Sequence, residues 1–287
     1  METSKRHHYI PQFLIKNFSD DDNKLWVYNK EEKRILKSKQ SPKAIFFDWE
    51  RNLFDINGTP GDNIEKMYRD VDDLLAKTLE KILSTLTMTG REQTLMLFLV
   101  SLMKWRIPKV DDNFYDLVKG VPIENLGFAF RHIDPATKIS TDEINRINDL
   151  EIIKETKRLL LPIQPLINEE TVSEIHKNCF LVSHDGYPAL LGDCPIIESQ
   201  NSDFKMLEDF IFPLSSKETF ICKRGAEKSI LSPLFYIQKD LTIFHLSKKY
   251  VACKSREHLE NIVNIYTKLE IENKTHLLTK YVFEFIK

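Results

Sequence analysis

The segment from Glu92 to Arg106 constrains the fold most, because it is apolar nearly all round and lies between Gly90 and Pro108. A helix without a polar face is stable in water only when other elements cover it on every side. Pro108 disfavours helical backbone at the residue before it, so this helix should end near Arg106. We therefore predict a buried helix at the centre of a helical bundle.

A second, amphipathic helix precedes this one. Asp62 or Asn63 can cap it, and Glu65 falls in its first turn, where the helix dipole favours an anion. Its apolar residues recur at helical spacing: Ile64, Met67, Val71, Leu74, Leu75, Leu79 and Ile82. Residues 109–140 are predicted to be irregular. Further helices are predicted at 140–161, at 169–178, at 240–249 and, as the last one, at 255–269.

Short apolar runs bounded by turn residues predict strands on both sides of the helices. Residues 25–28 and 34–36 flank a polar stretch and predict an N-terminal β-hairpin. Residues 180–184 and 187–191 flank Asp185-Gly186, a pair that suits the type I′ turn of a second hairpin. Further strands are predicted at 210–212, at 219–222, at 250–253 (as an edge strand) and at 281–286.

The segregation of helices and strands along the chain favours an α+β fold over a doubly wound α/β fold. We expect an N-terminal β-hairpin, a central helical bundle and a C-terminal antiparallel sheet with flanking helices. Residues 1–287 are predicted to form a single unit. A subdomain boundary near 162–168 is the alternative, with the hairpin and helical part in 1–161 and the sheet-containing part in 168–287.

Composition excludes several classes of protein. The 287 residues carry a net charge of −2, so no overall field draws the chain to nucleic acid or to a membrane. The longest apolar run is far shorter than the roughly 20 residues that cross a bilayer, and we expect no membrane partner. Four separated cysteines without C-x-x-C spacing favour a reduced, cytoplasmic setting: Cys179, Cys194, Cys222 and Cys253. The oligomeric state is not predicted.

The most distinctive chemistry lies at the start of the chain, where His7, His8, Tyr9 and Pro11 precede an apolar run. Imidazole can ligate a metal or transfer a proton near neutral pH. Adjacent residues of an extended segment point in opposite directions, so one histidine would face a site while the other packs against the fold. The alternative is an ordered N-terminal plug whose histidines bond to the core.

Two acids and one arginine extend this candidate site. Glu65 and Asp72 lie seven residues apart and therefore share a helix face, where carboxylates can bind Mg²⁺ or Mn²⁺ or divide acid and base roles. Arg106 either recognises a phosphate or carboxylate, or serves as a favourable charge at the end of its helix. If Glu65 were its partner, both residues would be structural.

A third acid, Asp193, follows a predicted strand and precedes Cys194 and Pro195. It is either a catalytic acid or metal ligand, or a turn aspartate that bonds to its own backbone. The N-terminal hairpin is also basic, with Trp26 and Tyr28 among its lysines, a pattern found in proteins that bind single-stranded nucleic acid. A solvated hairpin surface is the alternative.

These motifs resemble an uncharacterised bacterial family, domain of unknown function 4238, whose members begin with His-His-Tyr-x-Pro. Three later segments are also similar to it: the helix bearing Glu65 and Asp72, then Arg106-Ile107-Pro108, and then Asp193-Cys194-Pro195 followed by Pro213-Leu214. The chain departs from the family pattern at Asp72, where glutamate is expected, and at Gly192, where serine or threonine is expected. The resemblance covers most of the chain and implies no established activity.

The sequence contains no P-loop, no dinucleotide fingerprint, no zincin motif and no nucleophile elbow. Our hypothesis is a phosphodiester hydrolase, a metal-dependent nuclease of the defence or toxin type. His8 or His7 would be the general base or a metal ligand, and Arg106 would stabilise phosphate charge. Asp193 and Glu65, with Asp72 as a further candidate, would hold Mg²⁺ or Mn²⁺. The alternative is a non-enzymatic binding or regulatory module in which the same residues are structural.

Overall fold

A computed structural model describes residues 6–51, 54–56, 59–61, 63–118, 121–199, 209–226 and 231–286. The fold is α+β, with a small N-terminal sheet, a helical middle and C-terminal sheets with helices, as the sequence predicts. The helices are α1 (Gln12–Lys16), α2 (Asn63–Thr85), α3 (Gly90–Arg106), α4 (Asp111–Val118), α5 (Thr141–Asn148), α6 (Glu151–Leu160), α7 (Glu169–Lys177), α8 (Pro233–Leu246), α9 (Arg256–Ile271) and α10 (Leu278–Glu284).

The strands form four antiparallel sheets in the described ranges. Two sheets are two-stranded: β1 (Arg6–His8) with β4 (Phe47–Trp49), and β5 (Phe54–Ile56) with β6 (Thr59–Gly61). One four-stranded sheet has the order β7 (Cys179–Ser183), β11 (Glu218–Cys222), β10 (Phe210–Pro213), β9 (Ile197–Glu198). The other has the order β3 (Arg34–Ile35), β2 (Trp26–Asn29), β12 (Tyr250–Cys253), β8 (Leu191–Gly192).

The predicted hairpin around Asp185-Gly186 is wrong. β7 pairs with β11, whereas Leu191 and Gly192 pair with β12 in the other four-stranded sheet. Gly127 and Gly225 are the glycines with positive φ in the described ranges, so Gly186 does not adopt the backbone of a type I′ turn. The turn signal therefore marks a connection between two sheets, because each strand finds its partner far along the chain.

Other differences lie outside the two long helices α2 and α3. The strand at 250–253 is interior, since β2 and β8 pair with its two edges, and 281–286 is mostly helical rather than extended. The region predicted to be irregular contains α4, whose Phe114 and Val118 pack with Trp105. The single helix predicted at 140–161 is divided into α5 and α6 at residues 149–150. The N-terminal hairpin and the two long helices are confirmed, although Asp62 lies outside the described residues.

Helix α3 is buried as predicted, and it positions the N-terminal segment. Thr89 and Glu92 form a reciprocal capping box at its start, and Ile107, before Pro108, ends it with extended backbone. Leu97 and Met103 lie in the main hydrophobic core together with Tyr9. No helix of the described ranges is long and apolar enough to cross a membrane.

Candidate functional site

The opening segment is part of the fold. His7 pairs with Asp48 across β1 and β4, and the Tyr9 backbone N–H donates to the Phe46 carbonyl at 3.1 Å. Pro11 precedes the first turn of α1, where its missing N–H costs no helical hydrogen bond. The side chains of His7, His8 and Tyr9 are all buried, with His8 8% exposed.

The His8 imidazole is neutral at physiological pH. Burial and the positive charge of Arg106 lower its pKa to about 4, although the Pro42 carbonyl and Glu65 oppose this shift. Its ring lies against Phe47, with the ring centroids 5.6 Å apart. Within the described residues, Nε2 of His8 is buried without a hydrogen-bond partner. A buried polar atom of this kind is uncommon and is a candidate contact for a ligand.

Gln12 is one of two polar neighbours that influence what Nε2 of His8 can do, and the other is the Pro42 carbonyl. The Gln12 side-chain amide lies 3.4 Å from Nδ1 of His8. If that amide donates to Nδ1, Nε2 carries the proton and can only donate. If the amide is reversed, Nδ1 donates to its oxygen and Nε2 becomes an acceptor, as a general base requires. Gln12 is therefore a candidate positioning residue that sequence reasoning missed.

Arg106 joins the opening segment to the two long helices. Its Nη1 donates to both carboxylate oxygens of Asp72, at 2.8 and 3.0 Å, and its Nε donates to the His8 carbonyl at 3.0 Å. Its guanidinium lies 4.3 Å from the ring centroid of buried Tyr68. The partner of Arg106 in this pair is thus Asp72. Arg106 is only 4% exposed, so it acts on His8 through position and charge.

A second group of charges surrounds the end of α3. Arg51 donates to both oxygens of Asp111 and, from Nη2, to the Arg106 carbonyl at 3.2 Å. Arg158 donates to the same carboxylate at 2.6 Å and lies over the Phe114 ring. This network fixes the backbone that carries Arg106.

Asp193 caps the backbone that leads into β12. Its carboxylate accepts hydrogen bonds from the backbone N–H groups of Lys248, Lys249 and Tyr250, at 2.8, 2.6 and 2.9 Å. Burial raises the pKa of Asp193 while these three donors oppose that shift. The neighbouring Cys194 and Pro195 are buried, and burial raises the pKa of the Cys194 thiol to about 11. The contacts of Asp193 are those of a structural aspartate that bonds to backbone.

The candidate metal ligands are not gathered into one cluster. Within the described ranges, no group of three or more His, Cys, Asp or Glu side chains is arranged to hold a metal ion. Both oxygens of Asp72 bond to Arg106, and both oxygens of Asp193 bond to backbone. Glu65 is the candidate carboxylate whose charge acts on His8.

An exposed cation–aromatic cluster lies next to His8. The Arg6 guanidinium lies 5.1 Å from the centroid of Phe47 and 5.2 Å from that of Trp49. The two rings meet edge to face, and Trp49 is 60% exposed. We call Arg6, Phe47 and Trp49 the aromatic surface. Sequence reasoning missed it because β1 and β4 are nearly forty residues apart in the chain.

Three cations of the basic hairpin identified from the sequence have partners within the fold. Lys30 donates to the carbonyls of Phe244 and Ser247 at the end of α8, at 2.7 and 2.6 Å. Arg34 pairs with Glu32, and Lys39 pairs with Asp20 at 2.5 Å. Lys30, Arg34 and Lys39 of the hairpin therefore make contacts within the fold.

A buried charged network in the C-terminal part was also missed. Asp240 accepts from Lys239 at 3.0 Å and from the Leu190 backbone N–H at 3.2 Å, and it lies 2.8 Å from Nε2 of His258. Although burial opposes it, Lys239 and His258 lower the pKa of Asp240. The network links α8 and α9 to the segment before β8.

Comparison with known families identifies the class to which this fold and motif set belong. The family described as "Protein of unknown function (DUF4238)" matches residues 6–232. The chain is therefore a member of this family, and the match covers the opening histidines, Arg106 and Asp193. The match ends before α8 and α9, which carry the Asp240 network. No curated protein and no solved structure matches the chain.

Proposed function

We propose that this protein is a phosphodiester hydrolase, a nuclease that engages nucleic acid at the aromatic surface and uses His8 as its general base. One observation carries the proposal: neutral His8, with Nε2 unpaired in the described structure, lies against Phe47 of an exposed cation–aromatic cluster. Exposed aromatic rings beside a cation are a common way to bind single-stranded nucleic acid, because bases stack on the rings and the cation attracts the phosphates.

Each group has a role in the proposed reaction. Nε2 of His8 accepts a proton from the attacking water, and the water oxygen bonds to phosphorus as the bond to the leaving oxygen breaks. The leaving oxygen takes a proton from solvent. Arg6 offsets phosphate charge, and Trp49 stacks on a base. Arg106 positions His8 by donating a hydrogen bond to the His8 carbonyl, and Arg106 does not itself contact the phosphate.

The low pKa of His8 is compatible with this role once substrate is bound. A base with a pKa of about 4 accepts a proton weakly at neutral pH. A phosphodiester anion placed beside the ring would raise the pKa of His8, because an opposite charge favours the protonated form. Glu65 acts in the same direction.

A divalent cation remains part of the proposal. Mg²⁺ and Mn²⁺ are often held by one or two carboxylates together with substrate phosphate, so a complete protein cage is not required. Glu65 is the carboxylate that would bind the ion here. The four cysteines are free thiols, which supports a cytoplasmic location. A role in defence or as a toxin stays a prediction.

The test is a cleavage assay with RNA, single-stranded DNA and duplex DNA, each in Mg²⁺, in Mn²⁺ and in chelator. We expect the wild-type protein to cleave a single-stranded substrate and His8→Ala to lose cleavage while remaining folded. His276→Ala, which changes an exposed histidine, is the matched control and should cleave normally. Absence of cleavage by the wild-type protein under every condition would contradict the proposal.

Gln12 gives a sharper version of the same test. Gln12→Glu places a carboxylate beside Nδ1 of His8, which favours a proton on Nδ1 and leaves Nε2 as the acceptor. We therefore expect Gln12→Glu to retain or increase kcat, and Gln12→Leu to lower it. If both variants cleave as the wild type does, His8 is not a base oriented by Gln12.

A second candidate function is a non-enzymatic binding or regulatory module. The observation that favours it is the pairing of Arg106 with Asp72 and of Asp193 with three backbone N–H groups, which gives these motif residues structural partners. In that case His8→Ala should lower the Tm without any activity to lose. The aromatic surface would still bind single-stranded nucleic acid, and binding without cleavage would support this module.

A further inference from the structure

We infer that Cys179 and Cys222 form a dithiol site that oxidises reversibly to a disulfide linking strands β7 and β11. This inference concerns a covalent modification and does not depend on the proposed hydrolase activity. The two cysteines are 43 positions apart in the chain, so their spacing in the sequence gives no sign of the pair.

The strand register places the two residues directly opposite each other. Cys222 pairs with Cys179 in the antiparallel ladder of β11 and β7. The Lys223 N–H donates to the Asn178 carbonyl at 3.0 Å, so the next pair along is a hydrogen-bonded one. Because the two kinds of pair alternate, Cys179 and Cys222 occupy a non-hydrogen-bonded position, where Cα atoms are about 4.5 Å apart. That separation lies within the range of disulfides, roughly 4.4–6.8 Å.

The two side chains also share one face of the sheet. Both belong to the main hydrophobic core, whereas their strand neighbours Phe180 and Ile221 face the second core. The neighbouring Cys222 side chain and burial raise the pKa of Cys179. The two thiols therefore extend to the same side of directly opposed residues, which is the arrangement that a cross-strand disulfide requires.

The other two cysteines provide internal controls. Cys194 and Cys253 are buried like the pair, but the partners of the Cys253 sulfur are the Pro188 carbonyl and the Ser255 N–H. Burial raises the pKa of Cys194 to about 11 and that of Cys253 to about 12. Burial is thus common to all four thiols, and the opposed position distinguishes Cys179 and Cys222.

The chemistry requires a small disulfide such as oxidised glutathione. One cysteine thiolate attacks a sulfur of the oxidant and releases one glutathione thiolate. The second cysteine then attacks the mixed disulfide and releases the other. The protein pair is oxidised by two electrons, the oxidant is reduced to two thiols, and the two cysteine protons end on those thiols. Because the pKa of Cys179 is raised, exchange in the folded protein should be slow and should accelerate with pH.

Glutathione reaches the buried thiols of the folded protein slowly. The full chain is therefore unfolded and then refolded in a glutathione redox buffer. Free thiols are then alkylated and the protein is digested with trypsin. Cys179 and Cys194 fall in the same tryptic peptide, 178–205, so the Cys194→Ser variant is used for mapping. We expect peptide 178–205 linked to peptide 218–223, with Cys253 alkylated. We also expect the oxidised protein to melt higher by on the order of 5 °C.

Matched variants complete the test. Cys222→Ser should abolish the linked peptide in wild-type and Cys194→Ser backgrounds, whereas Cys253→Ser should leave it intact. Full alkylation of Cys179 and Cys222 in wild-type protein after equilibration with excess oxidised glutathione would overturn the inference. A disulfide that instead includes Cys194 or Cys253 would overturn it equally.

Discussion

Buried Arg106 and partly buried Asp72 form an ion pair, in which Nη1 of the arginine donates to both carboxylate oxygens at 2.8 and 3.0 Å. The same guanidinium holds the His8 carbonyl. The pair therefore fastens the strand that carries both histidines to helices α2 and α3. In our account the pair orients His8, whose buried ring contacts Phe47, and Arg6 contacts the same Phe47 ring.

The first prediction concerns the strength of this pair. Arg106→Ala leaves the Asp72 carboxylate and the His8 carbonyl without their donor, so we expect a loss of about 3–5 kcal/mol of unfolding free energy, measured by urea denaturation. Lys274→Ala removes an exposed pair with Glu272 and is the control that should not change stability. If Arg106→Ala hardly changes the unfolding free energy, other contacts hold the N-terminal strand in place.

The second prediction follows from the pKa of His8. Its pKa is lowered from 6.5 to about 4 on folding, so the unfolded chain binds a proton more readily. As the pH falls from about 7 to 4, the unfolding free energy of the wild type should therefore decrease relative to that of His8→Gln. We expect a change of about 2 kcal/mol, allowing for solvent at the ring edge. A His8 ring resonance that titrates near pH 6.5 by NMR would contradict this.

Variants of Asp193 distinguish a structural role of its carboxylate from a catalytic role. Asp193→Ala leaves three backbone N–H groups without an acceptor, and we expect a loss of about 3 kcal/mol by chemical denaturation. Asp193→Asn keeps one acceptor oxygen and should lose less. An Asp193→Asn protein with unchanged stability but no activity would show that the carboxylate takes part in catalysis.

The Asp240 network should behave as a coupled unit. Lys239→Met leaves Asp240 buried without its cation and should cost about 3 kcal/mol. Adding Asp240→Asn removes the uncompensated charge, so the double variant should lose less stability than the sum of the single variants. Additive losses in the double-mutant cycle would show that the two side chains act independently.

Local sequence patterns were sufficient for the elements that depend on neighbouring residues. The helix ending at Arg106, the helix that begins near Ser255 and the hairpin of β2 and β3 were all predicted and are observed. The elements that were wrong depend on distant partners. Residues 180–184 and 187–191 carry a strong local hairpin signal, yet β7 pairs with β11 and β8 pairs with β12.

The same distinction applies to the candidate site. The sequence identified His8, Arg106 and Asp72 as candidate site residues. It could not show that Arg106 pairs with Asp72 rather than with Glu65. The aromatic surface and the cysteine pair arise from strand pairing over about forty residues, which leaves no periodic signal in the chain. Asp240 and His258 lie on separate helices, and only their packing brings them together.

The most direct test of the account compares Trp49→Ala and His8→Ala in steady-state cleavage of a single-stranded oligonucleotide. Trp49 is exposed, so Trp49→Ala should keep the Tm and raise KM by about tenfold through the loss of base stacking. His8→Ala should instead abolish kcat. If His8→Ala cleaves at the wild-type rate, or if neither variant changes KM or kcat, the site is not where we place it.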